Sequence, residues 1–277
     1  MSVEALHEGR LCDAGTARSR ALHYGDGVFR TLLWRDGAAI DWALHHDKLV
    51  RDCAALSLDP PDGQVLADDL ALLMRGRSQA VAKIIVARRA GGRGYQTRER
   101  ASERWVLAYP APAPRAADYR EGIVAALSTV GLSEQPLLAG IKHLNRLDQV
   151  LASRDWAADV DEVLMCRGDG AVVCGSRSNL FAVRGGSLIT PMLDRCGVAG
   201  IMRHRILDCA ARMNLPAREA VLHPADLLAA DEAFVCNAVI GIWPLRRLAA
   251  RSWRAPGPVT RALMRESGHP LVLDHLG

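Results

Sequence analysis

The stretch Gly140-Ile141-Lys142-His143-Leu144-Asn145-Arg146-Leu147 carries the residue best suited to covalent chemistry in this chain. Lysine occurs only at 48, 83 and 142, although Lys and Arg together number 35. Arginine stays charged and cannot attack a carbonyl, whereas a lysine amine in a desolvated pocket loses its proton and forms an imine. Lys142 is therefore the candidate Schiff-base residue, the alternative being a surface lysine at the start of an amphipathic helix. A second feature, Gly197-Val198-Ala199-Gly200-Ile201-Met202-Arg203, opens a predicted helix. Amides near Gly200, Ile201 and Met202 would point at an anion with the helix dipole behind them.

The elements that must position these residues follow from periodicity. Val28 to Trp34, 81 to 87 and 105 to 109 read as strands, with helices over Leu44 to Leu56 and Val65 to Arg75, which predicts a small α+β domain. The alternating prolines of Pro110-Ala111-Pro112-Ala113-Pro114 interrupt regular structure and mark a linker over 110–116. Beyond it, Ile123 to Val130 reads as a strand and Leu144 to Trp156 as a helix with apolar residues at 144, 147, 150, 151 and 156. Short strands follow over 162 to 190, then a helix from Gly200 to Met213 and a buried strand over Ala233 to Cys236. The expected organisation is a small domain over 1–109 and a larger α/β domain over 117–277 that carries the lysine.

Composition removes several classes. At 277 residues and 49% hydrophobic, the chain is long enough for a buried core in two small domains or one large one. No apolar run approaches the length of a membrane helix, and the first residues lack a basic segment followed by an apolar one, so a cytoplasmic protein is expected. The cysteines, seven and scattered, form no CxxC pair, which argues for a reducing compartment and against structural zinc. A net charge of +4 with dispersed arginines and 5% aromatics gives little support to nucleic-acid binding and fits an anionic small molecule. His23, His45, His46 and His143 match no zinc spacing and read as packing or capping residues.

Several ordered motifs then carry a resemblance: HYGDGVFRT at 23 to 31, HHDKL at 45 to 49, GGRGY at 91 to 95, GIKHLNRLDQVLA from 140, DEVLMCRGDGAVVCGSRSNLFAV from 161, Thr190-Pro191, GVAGIMR from 197 and DEAFVCNA from 231. Together they resemble the fold-type IV pyridoxal-phosphate enzymes, and the KHLNRL form resembles their 4-amino-4-deoxychorismate lyase branch. The resemblance spans nearly the whole chain. It implies an α/β fold of the D-amino-acid-aminotransferase-like type, pyridoxal 5'-phosphate as cofactor, a homodimer, and Lys142 as Schiff-base lysine and general base. The activity implied is conversion of 4-amino-4-deoxychorismate to 4-aminobenzoate and pyruvate. Asn179 and Asn237 fall where the family lines the cofactor, though either could equally pin backbone. Arg30, Arg93 and Tyr95 become candidates for the substrate's carboxylates, against an outward-facing strand residue and a solvated loop.

Two positions depart from the family pattern. Its H-x-x-R-L block places an arginine on the phosphate, and here Lys48 keeps the charge without the planar fork. Its E-G-x-x-x-N-L-F block places a glutamate on the pyridine nitrogen, and here Cys174 stands there. A thiol with a pKa of about 8.5 is a weak donor and protonates the ring nitrogen less, which weakens the electron sink a transaminase needs. A lyase whose product is aromatic tolerates that change better. A fold-type IV aminotransferase, a homologue that has lost the cofactor, and a cofactor-free elimination with Lys142 as base remain as alternatives.

Overall fold

The computed structural model describes residues 6–7, 10–11, 17–90, 94–111, 113–154 and 156–276. The chain divides into two units, Met1–Ala111 with Lys142–Asn145, and Pro112–Ile141 with Arg146–Gly277.

The first unit is built on a four-stranded antiparallel sheet. Helix α1 (Arg20–Tyr24) leads into β1 (Gly27–Arg35), which turns into the short β2 (Ala38–Ala39). After α2 (Trp42–Ala55) and α3 (Gly63–Leu73) come β3 (Gln79–Arg88) and β4 (Ser102–Pro110). β3 pairs with β1 from Gly27 opposite Ala87 to Arg35 opposite Gln79, and with β4 on its other side. Alternation sorts the residues: Val28, Leu32, Ala82, Ile84 and Val86 are fully buried, whereas Phe29, Thr31, Lys83 and Ile85 lie half-buried on the opposite face. Helix α2 packs on β1 and turns His45, Leu49, Asp52 and Cys53 inward, the i, i+4, i+7, i+8 stripe of a surface helix. Each such Leu, Val or Ile stabilises the unit by about 1.5–3 kcal/mol. Asp62 caps α3 by accepting from the amides of Gln64 and Val65.

The second unit begins with α4 (Ala116–Arg120) and β5 (Ile123–Leu127). Helix α5 (Leu147–Ala152) precedes β6 (Glu162–Cys166), β7 (Val172–Gly175), β8 (Asn179–Arg184) and β9 (Ser187–Pro191). Then come α6 (Ile201–Arg212), β10 (Ala217–Ala220), α7 (Pro224–Leu228), β11 (Glu232–Asn237), β12 (Gly241–Leu248), β13 (Arg251–Ser252), α8 (Pro258–Ser267) and α9 (Pro270–Leu276). The mixed sheet runs β10-β9-β8-β11-β12-β5-β6-β7, with β13 on β12. It curls until its ends meet, since Val172 of β7 bridges Leu222 just beyond β10. β6, β7 and β8 read as continuous apolar runs because both of their faces are covered. Phe181 and Phe234 stack at 5.0 Å, and α6 and α8 pack on β11.

Three expectations need correction. The helix expected over 144–156 is only Leu147–Ala152. The preceding residues are extended, because the Phe29 amide donates to the Lys142 carbonyl and the Leu144 amide to the Gly27 carbonyl. For the same reason Lys142 groups with the first unit and not with the C-terminal one. The strand expected to reach Val130 stops at Leu127, after which the Ser128 amide turns to the Leu164 carbonyl. Leu147, Val150 and Leu151, whose spacing suggested the longer helix, are exposed.

Candidate active site

Lys142 is half-buried and anchored through its backbone. Its amide donates to Asp52 Oδ2 at 3.1 Å, its carbonyl accepts from Phe29 at 2.9 Å, and Asn145 Nδ2 donates to the Gly25 carbonyl at 3.2 Å. The ε-amine lies over the Phe29 ring, 4.5 Å from its centroid, so an apolar aromatic face supplies one wall around it.

Beneath this segment Asp52 gathers charge. Its buried carboxylate takes the guanidinium of Arg30, the ammonium of Lys48 and the Lys142 amide. Sequence reasoning missed Asp52, although its position four residues after Lys48 and seven after His45 put it on the same helix face. Burial lowers Lys48 from 10.5 to about 7, and Arg30, Arg51 and Lys142 push the same way; the Asp52 contact opposes them by favouring the ammonium. Burial likewise lowers Arg30 to about 10. His45, 3% exposed, is driven to about 3 by burial and then by Arg30 and Lys142. Neither of its ring nitrogens has a hydrogen-bond partner among the described residues.

In the second unit the loop ahead of α6 is stitched to the residues preceding Ile141. Gly140, at φ +78°, donates to the Gly197 carbonyl and accepts from the Ala199 amide. Asn179 fixes the turn from the other side: Nδ2 donates to the Val198 carbonyl at 2.7 Å and Oδ1 accepts from the Gly200 amide at 3.2 Å. A Cβ at Gly200 would stand 2.4 Å from Asn179 Oδ1, so the turn admits only glycine without displacing the asparagine. The Gly200 amide is therefore engaged, and the amides of Ile201 and Met202 are the ones without an acceptor among the described residues. This 12-residue helix has no side-chain cap and no acidic residue in its first turn, a donor set suited to an anion.

Cys174 is 6% exposed and packs with Leu132, Val163, Met165 and Cys196. Burial lowers the nearby Arg146 guanidinium, an effect that Cys174 and Asp148 oppose. The loop after Cys174 is held by Glu162, another residue not foreseen, which accepts from the Ser176 amide and hydroxyl and from the Ser178 hydroxyl. Asn237 directs both ends of its side chain to backbone, accepting from Val239 and Ile240 and donating to the Arg177 carbonyl.

The candidates for carboxylate binding are dispersed. Arg30 lies on the helix-facing side of its sheet with its side chain 3% exposed, paired to Asp52. Tyr95 is 86% exposed, its ring centroid 5.4 Å from that of Tyr24, and its carbonyl accepts from Arg20. Arg93 lies outside the described residues. Among the described residues no cluster suited to a metal ion is found, and no helix is long and apolar enough to cross a membrane.

A model of the amino-transferase class IV family matches residues 27–248. The chain belongs to that family. It is similar to the crystal structure of 4-amino-4-deoxychorismate lyase from Pseudomonas aeruginosa, with 38% identity, a TM-score of 0.87, and coverage of 96% of this chain and 98% of that one. It is 28% identical to the aminodeoxychorismate lyase of Vibrio harveyi over 90% of this chain and 93% of the relative. A probable branched-chain-amino-acid aminotransferase of Thermotoga maritima is 37% identical over 57% of this chain and 58% of its own. The fold is thus the α/β fold of the fold-type IV enzymes, and members of this family, aminodeoxychorismate lyases included, depend on pyridoxal 5'-phosphate.

The residues present fit that cofactor. In the second unit the uncapped amides of Ile201 and Met202, after a Gly200 turn that admits no Cβ beside Asn179, suit a phosphate; in the first unit the Lys142 amine over the Phe29 ring is of the kind that forms an imine. Cys174, which the resemblance sets at the ring nitrogen, is a buried thiol.

Proposed function

We propose that this protein is a lyase converting 4-amino-4-deoxychorismate to 4-aminobenzoate and pyruvate. The observation that carries the reading is the anchoring of Lys142, by Asp52 through its amide and by Phe29 beneath its amine, within a chain matching a lyase structure over 96% of its length. Pyridoxal phosphate would supply an aldehyde for the substrate's amine and a conjugated ring to share the charge left when a proton departs.

The chain's own residues supply the rest. Lys142 would hold the cofactor through its amine, and that amine, when free, takes the proton from the amino-bearing ring carbon. Loss of that proton and cleavage of the carbon–oxygen bond to the enolpyruvyl group leave an aromatic ring. The departing enolpyruvate gains a proton and becomes pyruvate, and Lys142 gives up its proton as 4-aminobenzoate leaves. Ile201 and Met202 would hold the phosphate through their amides, with Asn179 fixing the turn. Asn237 braces the end of β11 beside the Arg177 carbonyl. Lys48 contributes charge shared with Asp52, and Arg93 and Tyr95 of the glycine-rich loop take part in holding the anionic substrate. Cys174, a weak donor, would leave the cofactor's ring nitrogen less protonated than a carboxylic acid would, which would favour this elimination over transamination.

The test is 4-aminobenzoate release from 4-amino-4-deoxychorismate by cofactor-stripped protein, with and without added pyridoxal phosphate, beside Lys142→Ala. Cofactor-dependent release that the variant lacks supports the lyase. The match to a probable branched-chain aminotransferase keeps a second reading in view. No release, together with accumulation of pyridoxamine phosphate on incubation with amino acids, would replace the lyase with an aminotransferase.

A further inference from the structure

We propose that Lys83 anchors a carboxylate of the amine substrate beside Lys142. The inference rests on the reading of the protein as an enzyme acting on carboxylate-bearing amines and adds a residue that reading did not contain.

The argument begins with alternation in β3. Ala82, Ile84 and Val86 are fully buried toward the helices, so Lys83 belongs to the other face, directly opposite Thr31 of β1 and Leu107 of β4. Phe29 lies on that face two residues from Thr31. The Lys83 amine stands 5.0 Å from the Phe29 ring centroid and the Lys142 amine 4.5 Å from it. Two of the chain's three lysines therefore meet at one aromatic ring, separated by no more than the sum of those distances.

Lys83 differs in its pairing from the buried cations of this unit. Arg30 and Lys48 are held by Asp52, and Arg20 and Arg88 by Asp26. Among the described residues Lys83 has no carboxylate and no hydrogen-bond acceptor, only the Phe29 ring. A half-buried ammonium without a counter-ion is costly unless an anion completes it. Arg30, expected from sequence to meet the substrate, is turned to the helix-facing side of the same sheet and bound to Asp52. The face that carries the Lys142 amine thus presents Lys83 as its cation. In the proposed reaction the substrate has two carboxylates and one amine, and an ammonium set beside the amine-binding lysine fixes which ring carbon faces that lysine. Thr31, across the ladder from Lys83, stands where a hydroxyl could share the same carboxylate.

The experiment compares the cofactor-loaded wild-type protein with Lys83→Met and Lys83→Arg. It measures kcat and KM for 4-aminobenzoate release, and the calorimetric Kd of chorismate, a dicarboxylate with no amine to displace the lysine. A charge-assisted hydrogen bond lost from a desolvated contact corresponds to at least about tenfold. The expected result is KM and the chorismate Kd both raised about tenfold or more in Lys83→Met, kcat lowered less than about threefold, and substantial recovery in Lys83→Arg, with melting temperatures of the three cofactor-free proteins alike. A residue that merely packs on Phe29 would change the melting temperature and leave the chorismate Kd alone. KM and Kd within about twofold of wild type in Lys83→Met overturn the assignment. If the wild-type protein releases no 4-aminobenzoate, the lyase reading fails, and the chorismate comparison still decides Lys83; a wild-type protein that neither turns over nor binds chorismate overturns both.

Discussion

Asp52→Asn is the perturbation that interrogates the buried charge cluster most directly. Asparagine keeps the side-chain volume and an oxygen to accept the Lys142 amide, but removes the carboxylate that holds Arg30 and Lys48. Arg30, its side chain 3% exposed, is lowered by burial only to about 10, so it stays mostly protonated at pH 6 and pH 9 and is left as a buried charge without Asp52 to hold it. Breaking a buried pair in this way costs about 3–5 kcal/mol, a large fraction of the roughly 5–15 kcal/mol that stabilises a typical domain. Lys48 has an escape, because burial already lowers it to about 7, so above that pH it is largely neutral in both proteins. The destabilisation is therefore greatest below pH 7 and shrinks above it, where only Arg30 remains charged. Urea unfolding at pH 6 and pH 9 of wild type, Asp52→Asn, Arg30→Met and the double variant measures this. The double variant should recover at least half of the loss, with a coupling above about 1 kcal/mol. A loss for Asp52→Asn below about 1 kcal/mol, or additive single variants, would refute the charge argument and reduce Asp52 to a hydrogen-bond acceptor.

His45 predicts acid sensitivity. Its folded pKa of about 3 lies below the usual 6.5, so the unfolded chain takes up a proton that the folded one refuses. The stabilisation is full above pH 6.5 and falls as pH drops toward 3, by roughly 3–5 kcal/mol in all; His45→Leu should flatten that slope in pH-dependent melting, and an unchanged slope would contradict the assignment. Gly200→Ala should weaken pyridoxal-phosphate binding at least about tenfold while leaving the fold intact, because its Cβ would lie 2.4 Å from Asn179 Oδ1 and displace the turn. An unaltered cofactor Kd would mean the turn does not form the cradle. Cys174→Glu should tighten cofactor binding or raise transaminase side activity, and a variant equal to wild type in both would remove the case that the thiol selects against transamination.

Much of the scaffold was legible in the chain. The strands expected over 28–34 and 81–87 and the helix expected over 44–56 emerged as β1, β3 and α2, because binary pattern matches element period there. The helix over 144–156 was misread: its apolar residues have helical spacing, yet Lys142 to Leu144 pair with β1, and a backbone bond to a distant strand outweighs local pattern. The exposure of Leu147, Val150 and Leu151 shows the same failure from the other side, since periodicity reports a stripe and not what covers it.

The candidate site divides along similar lines. Residue type and spacing singled out Lys142 and the 197–203 turn, because a reactive amine in an arginine-rich chain and a glycine turn before a helix are local facts, whereas Lys48 and Cys174 drew attention only through the family resemblance. Tertiary structure assigned the pairings. Only the approach of α2 to β1 and to the 142–145 segment brings Asp52 to Arg30, Lys48 and the Lys142 amide at once, turning Arg30 from a candidate ligand contact into a buried ion pair. Only the ladder between β1 and β3 sets Lys83 beside Phe29. A charge has no meaning for function until its counter-ion is known, and among the described residues a counter-ion lies as far as 88 residues away along the chain.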